Sequence, residues 1–168
     1  MTMRSSAPTG RLPLPDLGRR GGGWVLLQVV LLLVIVGLGL IGPAWSGPAR
    51  VVGACLGIAL GVSGLGLVIA GILALRRQLT AYPRPVPGGR LIESGVFGKV
   101  RHPMYGGGVM AALGWSLAMA SPAALAGTAV LGVFFDCKSR REEAWLAEEF
   151  AGYGAYRQRT RRLIPWVY

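Results

Sequence analysis

Residues 24–44 read WVLLQVVLLLVIVGLGLIGPA, a run with no charged side chain and one strongly polar one, Gln28. At about 1.5 Å of rise per residue, a helix over this run crosses the roughly 30 Å hydrocarbon core of a bilayer. Residues 51–75 are also uncharged, and the run is longer still. A large soluble protein can bury such cylinders, but a chain of 168 residues lacks the surface layers to cover two of them. Composition agrees: 52% hydrophobic residues against 15% charged, with the apolar ones in unbroken runs, is the balance of an integral membrane protein. The chain reads as an all-α membrane helical bundle.

A third apolar region, residues 106–135, is built differently. Ser121-Pro122 at its centre is a natural turn and divides it into segments of about fifteen residues, each short for a full crossing. A helical hairpin over 106–120 and 122–136 fits best, and a single bent span is the alternative. Of the 18 Lys and Arg residues, only Arg50 lies in the connection after the first span; the others fall in residues 1–23, in the 76–101 connection or after Asp136. The positive-inside rule makes those three regions cytoplasmic, in keeping with an even number of crossings and with both termini inside. The short, Arg- and Gly-rich chain points to a bacterial inner membrane. Arg19, Arg20 and Ala44 frame the first run as a cleaved signal would, but the run exceeds the roughly 7 to 15 apolar residues of such signals.

Residues 1–23, rich in Pro, Gly and Arg, read as a mobile tail, and residues 24–168 as one membrane domain without internal repeats. The net charge of +11 sits beside membrane spans, not in an aromatic-interleaved patch, so topology and contact with anionic lipids explain it better than nucleic-acid binding. Gly53, Gly57 and Gly61 recur every fourth position, a small-residue stripe that serves either an internal helix contact or a homodimer seam. Cys55 and Cys137 lack metal-like spacing and read as free thiols. The 76–99 connection is broken by Pro83, Pro85, Pro87, Gly88 and Gly89, while residues 138–150 read as a cytoplasmic amphipathic helix with Trp145, Leu146, Glu149 and Phe150 on one face.

Polar chemistry gathers at the cytoplasmic ends of these spans, in the segment 137–168 and at Lys99-Val100-Arg101-His102-Pro103-Met104-Tyr105, which contains the single histidine of the chain. One histidine with scattered carboxylates is too few convergent ligands for zinc. No Ser/His/Asp ordering and no Walker loop are present, and Gly106-Gly107-Gly108 lacks the preceding strand of a dinucleotide fold. Glu142 and Glu143 lie only a turn or two beyond the membrane exit, at the depth of the histidine.

The string Gly95-Val96-Phe97-Gly98-Lys99-Val100-Arg101-His102-Pro103-Met104-Tyr105-Gly106, followed by a hairpin, Glu142-Glu143, Leu146, Phe150, Tyr153, Tyr156, Thr160, Arg162 and Ile164-Pro165, resembles the isoprenylcysteine carboxyl methyltransferase and phospholipid methyltransferase family. The likeness runs from about Leu91 to Pro165. It implies an S-adenosylmethionine-dependent methyltransferase that binds its cofactor in a cytoplasm-facing pocket and takes a lipophilic acceptor from the bilayer. By the same resemblance His102, Tyr105, Glu142 and Glu143 are cofactor-binding candidates; Tyr156 is counted with them, and Arg101 and Glu143 are the catalytic candidates. Where the family often has Gly-Pro-Tyr-Arg, this chain has Gly95-Val96-Phe97-Gly98, without the phenol and the guanidinium.

Physical reasoning runs alongside. Methyl transfer from a sulfonium depends on positioning and on a fitted electrostatic environment, a carboxylate suits the cationic groups and ribose hydroxyls of the cofactor, and Arg101 has the planar fork to orient an anionic acceptor group. Pro103 restricts His102 to extended conformations at the turn into the hairpin. The acceptor is then a small lipophilic carboxylate, thiol, amine or isoprenoid-like molecule. Two other readings are a nicotinamide-dependent membrane reductase of sterol-reductase-like architecture and a non-catalytic membrane scaffold.

Overall fold

Both long apolar runs are helical in a computed structural model of the protein, which describes residues 15, 17, 18, 20–41, 45–80, 82, 84 and 88–164. Expectations for residues 1–14, for residues 42–44 at the end of the first run, for Pro83, Pro85 and Pro87, and for Pro165 lie outside the described residues. Helix α1 spans Gly22–Ile41 and α2 spans Gly47–Leu75, so Arg50, expected in the connection, lies in the first turn of α2. Only 17% of the apolar window of α1 and 11% of that of α2 are buried, so neither is the core helix of a soluble domain. Leu33 and Leu40 of α1 and Ile58, Val62 and Leu73 of α2 face outward, as lipid-facing residues do. Part of the region expected to be a mobile tail packs on the start of α1: Trp24 Nε1 donates to the Pro15 carbonyl at 3.1 Å and the Gly23 amide to that of Leu17 at 2.9 Å.

The third apolar region is a hairpin of two helices, α3 (Pro103–Ala118) and α4 (Pro122–Glu149). Pro103 begins α3 three residues earlier than the apolar run does, since proline suits the first helical position, where no amide donor is needed. Ala120 takes a positive φ of 52° in the tight turn, and Ser121 caps α4 by accepting from the Ala124 amide at 3.2 Å while donating to Leu38 O of α1 at 2.9 Å. Near the turn of the hairpin, Ser116 and Thr128 hydroxyls meet at 3.0 Å, one polar tie within a buried interface.

The amphipathic segment 138–150 is the second half of α4. Nothing between Phe134 and Phe150 is Gly or Pro, and the i,i+4 pair of Arg140 Nε with Asp136 Oδ2 at 2.7 Å bridges the membrane exit. With 28 residues, α4 is about 42 Å long and so runs well past the bilayer core. Trp145 on this extension is buried under the Arg141 guanidinium, 4.3 Å from the ring centroid. Glu149, expected on the apolar face, is exposed. A last short helix, α5 (Tyr153–Arg159), turns the chain back toward α3.

Two interfaces hold the bundle. Ile35 of α1, Ala112 of α3, and Ala124, Leu131 and Phe135 of α4 form one buried apolar cluster. The other is the α2–α3 seam, where backbones meet directly. A Cβ on Gly57 would lie 2.5 Å from Gly114 O, and one on Gly64 would lie 2.6 Å from Gly107 O. The face carrying Gly53 and Gly57 therefore packs on α3 of the same chain. Gly57→Leu is expected to lower stability by about 1–3 kcal/mol or more through overpacking. Gly66→Leu on the open side, where a Cβ meets nothing within 4 Å, is expected to be neutral; thermal unfolding of both variants in detergent checks the contrast.

Candidate functional site

The chain returns to the membrane through a 3-10 turn at Gly95–Gly98 and an extended stretch that pairs with the C-terminal segment. Val100 and Arg161 form a parallel bridge. Arg101 N donates to Arg161 O at 2.8 Å, His102 N to Arg162 O at 2.9 Å, and Arg161 N to Lys99 O at 3.1 Å. His102 precedes Pro103, which disfavours helical backbone at His102, so the residue stays open to pair sideways (φ −124°, ψ 63°). The C-terminal segment then crosses α3 at Gly106, where an added Cβ would run into the Leu163 carbonyl oxygen. Only glycine permits that crossing.

Beneath this ladder lies a buried ion cluster. Glu143 is 5% exposed and its Oε1 accepts from Arg101 Nε at 2.8 Å and from Arg162 Nε at 3.3 Å. Arg101 Nη1 donates to the carbonyls of Arg157 and Thr160, and Arg162 Nη1 reaches Asp136 Oδ1 at 3.0 Å. One carboxylate on α4 thereby holds the segments on both sides of the ladder. Burial alone would raise the Glu143 pKa; His102 and Arg101 outweigh it and hold the carboxyl at about 2.

Glu142, on the neighbouring helix position, faces the other way. Its Oε2 accepts from Tyr105 Oη at 2.7 Å and lies 3.7 Å from His102 Nδ1. The rings of His102, Tyr105 and Phe135 stack in sequence, with centroid spacings of 5.3 and 4.7 Å. His102 Nε2 is buried, stands 3.3 Å from Glu143 Oε1, and is out of line for a hydrogen bond. Tyr153 Oη is also buried without a hydrogen bond among the described residues, while Tyr156 Oη donates to Phe97 O at 2.8 Å. Burial, foremost, pushes both phenols well above their ordinary pKa.

Two adjoining chambers open on this cluster. The smaller, of about 120 Å³, is lined by Phe97, Arg101, His102, Tyr105, Glu142 and Tyr156 among others. The larger, of about 510 Å³, draws Gln28 and Leu32 from α1, Val68 and Ile72 from α2, and Phe135 and Lys138 from α4. Tyr105, Glu142 and Met104 belong to both walls. Of the residues singled out from sequence, Arg101, His102, Tyr105, Glu142 and Tyr156 meet at the smaller chamber, and Glu143 stands behind them in the ion cluster. Sequence reasoning did not single out Tyr153 as a site residue, although its spacing from Tyr156 was visible. It also passed over Phe97, Arg90 and the Gln28–Lys138 pair; the last are 110 positions apart and signal nothing separately.

Glu143 stabilises the fold in its ionised form, so that contribution is complete above the unfolded carboxyl value of 4.5 and is lost as pH falls toward about 2. The shift is worth on the order of 3 kcal/mol. Glu143→Gln is expected to be less stable at neutral pH and to lose this acid-dependent fall, as read by thermal unfolding in detergent across that range. Gly106→Ala is expected to lift the C-terminal segment and speed tryptic cleavage at Arg161 and Arg162. Comparison with curated proteins gives no match. The family model described as phospholipid methyltransferase matches residues 52–152, which take in the α2–α3 seam, the His102 turn and the Glu142-Glu143 pair. A match over more than half of the chain, centred on the residues that build the two chambers, makes this protein a member of the phospholipid methyltransferase family.

Proposed function

We propose that the protein transfers a methyl group from S-adenosylmethionine to a small lipophilic acceptor at the cytoplasmic face of a bacterial inner membrane. The observation that carries the reading is the pair of adjoining chambers that share Tyr105 and Glu142. A donor and an acceptor need such a common wall in order to meet. Family membership supports the methyl-transfer chemistry.

The donor set fits the cofactor. Among the described residues, His102 Nε2 and Tyr153 Oη are buried polar atoms that make no hydrogen bond, a state that costs about 1–3 kcal/mol per group unless a ligand or water meets it. Glu142 offers a carboxylate to cationic groups and hydroxyls, and Phe97 and Tyr156 offer aromatic walls. The smaller chamber alone is below the roughly 300–1,000 Å³ usual for small-molecule sites, so the larger one supplies the room. When bound, S-adenosylmethionine supplies an electrophilic methyl group on a sulfonium. This chain's residues bind, orient and exclude water around it. Tyr105 fixes the Glu142 carboxylate through its hydroxyl, while Met104, Leu146 and Phe150 seal the shared region with apolar surface. Arg101 and Glu143, the candidate catalytic residues, act in this reading as positioning residues: their charges are spent on each other and on the C-terminal carbonyls, which hold His102 in place.

Calorimetric titration of the purified protein with S-adenosylhomocysteine and with NADPH separates this reading from a reductase. The expected result is selective binding of the first, weakened about tenfold in His102→Ala through loss of a hydrogen bond in a buried site. NADPH binding alone would overturn the proposal. For topology, single cysteines at Ser46 and Glu148, both exposed, in a background lacking Cys55 and Cys137, are expected to react with impermeant thiol reagent from opposite sides of the membrane.

A further inference from the structure

Lys138 follows the apolar part of α4 by two residues past Asp136, and it is 2% exposed. Its Nζ lies 2.5 Å from Gln28 Oε1 on α1 and 4.9 Å from the centroid of the Tyr105 ring. Among the described residues no carboxylate stands within ion-pair distance of it; the Glu142 carboxylate, one turn further along α4 and on the same chamber wall, acts on it from farther away and is hydrogen-bonded to Tyr105 Oη. An ammonium carries three N–H donors, and a buried charge is costly unless they are met. One amide oxygen and one aromatic face leave that demand unsatisfied. Lysines at the ends of membrane helices ordinarily extend along apolar surface to put their charge in water. This one turns inward, and both it and Gln28 stand on the wall of the larger chamber, among Leu32, Val68, Ile72 and Phe135.

We propose that Lys138, steadied by Gln28, is a specificity-determining residue that anchors an anionic head group, carboxylate or phosphate, of a lipophilic acceptor in the larger chamber. The inference rests on the methyltransferase reading and narrows its acceptor. A lipophilic amine, cationic at neutral pH, meets like charge at Lys138 and is disfavoured. A lipophile with an anionic oxygen supplies what the ammonium lacks, and its chain lies against the apolar wall. Arg84 and Arg90 are exposed and line the same chamber, so a general attraction for anions would survive the loss of Lys138, whereas a specific anchor would not.

The test is titration of the purified full chain in non-ionic detergent with oleate, dodecyl phosphate, dodecanol and dodecylamine, for the wild type, Lys138→Gln and Gln28→Ala. In the wild type, oleate or dodecyl phosphate is expected to bind about tenfold or more tightly than dodecanol, as a charge-assisted hydrogen bond in a buried site provides, with dodecylamine weakest. The tighter of the two anions identifies the head group. Lys138→Gln is expected to bring the anions to within about twofold of dodecanol, and Gln28→Ala to give an intermediate loss, each read as the ratio of anion to dodecanol affinity in the same variant. The wild-type series does not depend on any variant folding: anions that bind no better than dodecanol overturn the proposal. An anion preference that persists in Lys138→Gln overturns it as well. Failure of S-adenosylhomocysteine to bind the wild type strikes the methyltransferase reading, and the charge preference of the chamber is read independently of it.

Discussion

The ion pair between Arg101 and Glu143 joins the segment that enters the helical hairpin to the polar extension of α4, and through Arg162 it joins both to the C-terminal segment. Three parts of the chain are thus tied to one carboxylate. Buried pairs of this kind gain little over well-packed apolar residues, but loss of one partner leaves an uncompensated charge and costs about 3–5 kcal/mol. The cluster therefore acts as a register: it decides where the C-terminal strand lies, and so where His102 and Tyr156 stand against the smaller chamber.

This register works only because backbones approach unusually closely around it. Gly106 admits the Leu163 carbonyl from one side of α3, and Gly107 admits α2 from the other. Helix α3 is squeezed between α2 and the C-terminal segment at its first turn, which fixes Tyr105 at the junction. From that point Tyr105 stacks on Phe135 in the apolar layer and bonds Glu142 in the polar one. This side chain and its carboxylate partner are part of the wall that the two chambers share. The larger chamber draws its wall in part from α1 and α2, whose other faces expose apolar residues.

Much of this is legible in the residues. The lengths of the uncharged runs specify α1 and α2, and Ser121-Pro122 specifies the hairpin, because hydrophobic length and proline chemistry are local. The likeness around Arg101-His102-Pro103-Met104-Tyr105 and Glu142-Glu143 brings the right side chains to one site. It does not say which glutamate turns to the chamber, since consecutive helix positions point about 100° apart and either register satisfies the sequence. Continuity of α4 through Asp136 is harder to read, because the change from apolar to charged composition looks like a break although no Gly or Pro supports one. The pairings of Val100 with Arg161 and of Gln28 with Lys138 are closed to sequence reasoning for another reason. Each depends on a distant backbone or helix arriving at a spot that only the packed fold defines.

The most direct test of the account is methyl transfer itself: purified protein in vesicles, given S-adenosylmethionine with a labelled methyl group and either total bacterial lipid or the anionic amphiphiles, followed by counting of the organic extract. The account predicts label in that extract for the wild type and a loss of about tenfold or more in Glu142→Gln, whose carboxylate stands where both chambers meet. No label in the extract from protein that binds S-adenosylhomocysteine, or equal label with Glu142→Gln, would contradict it.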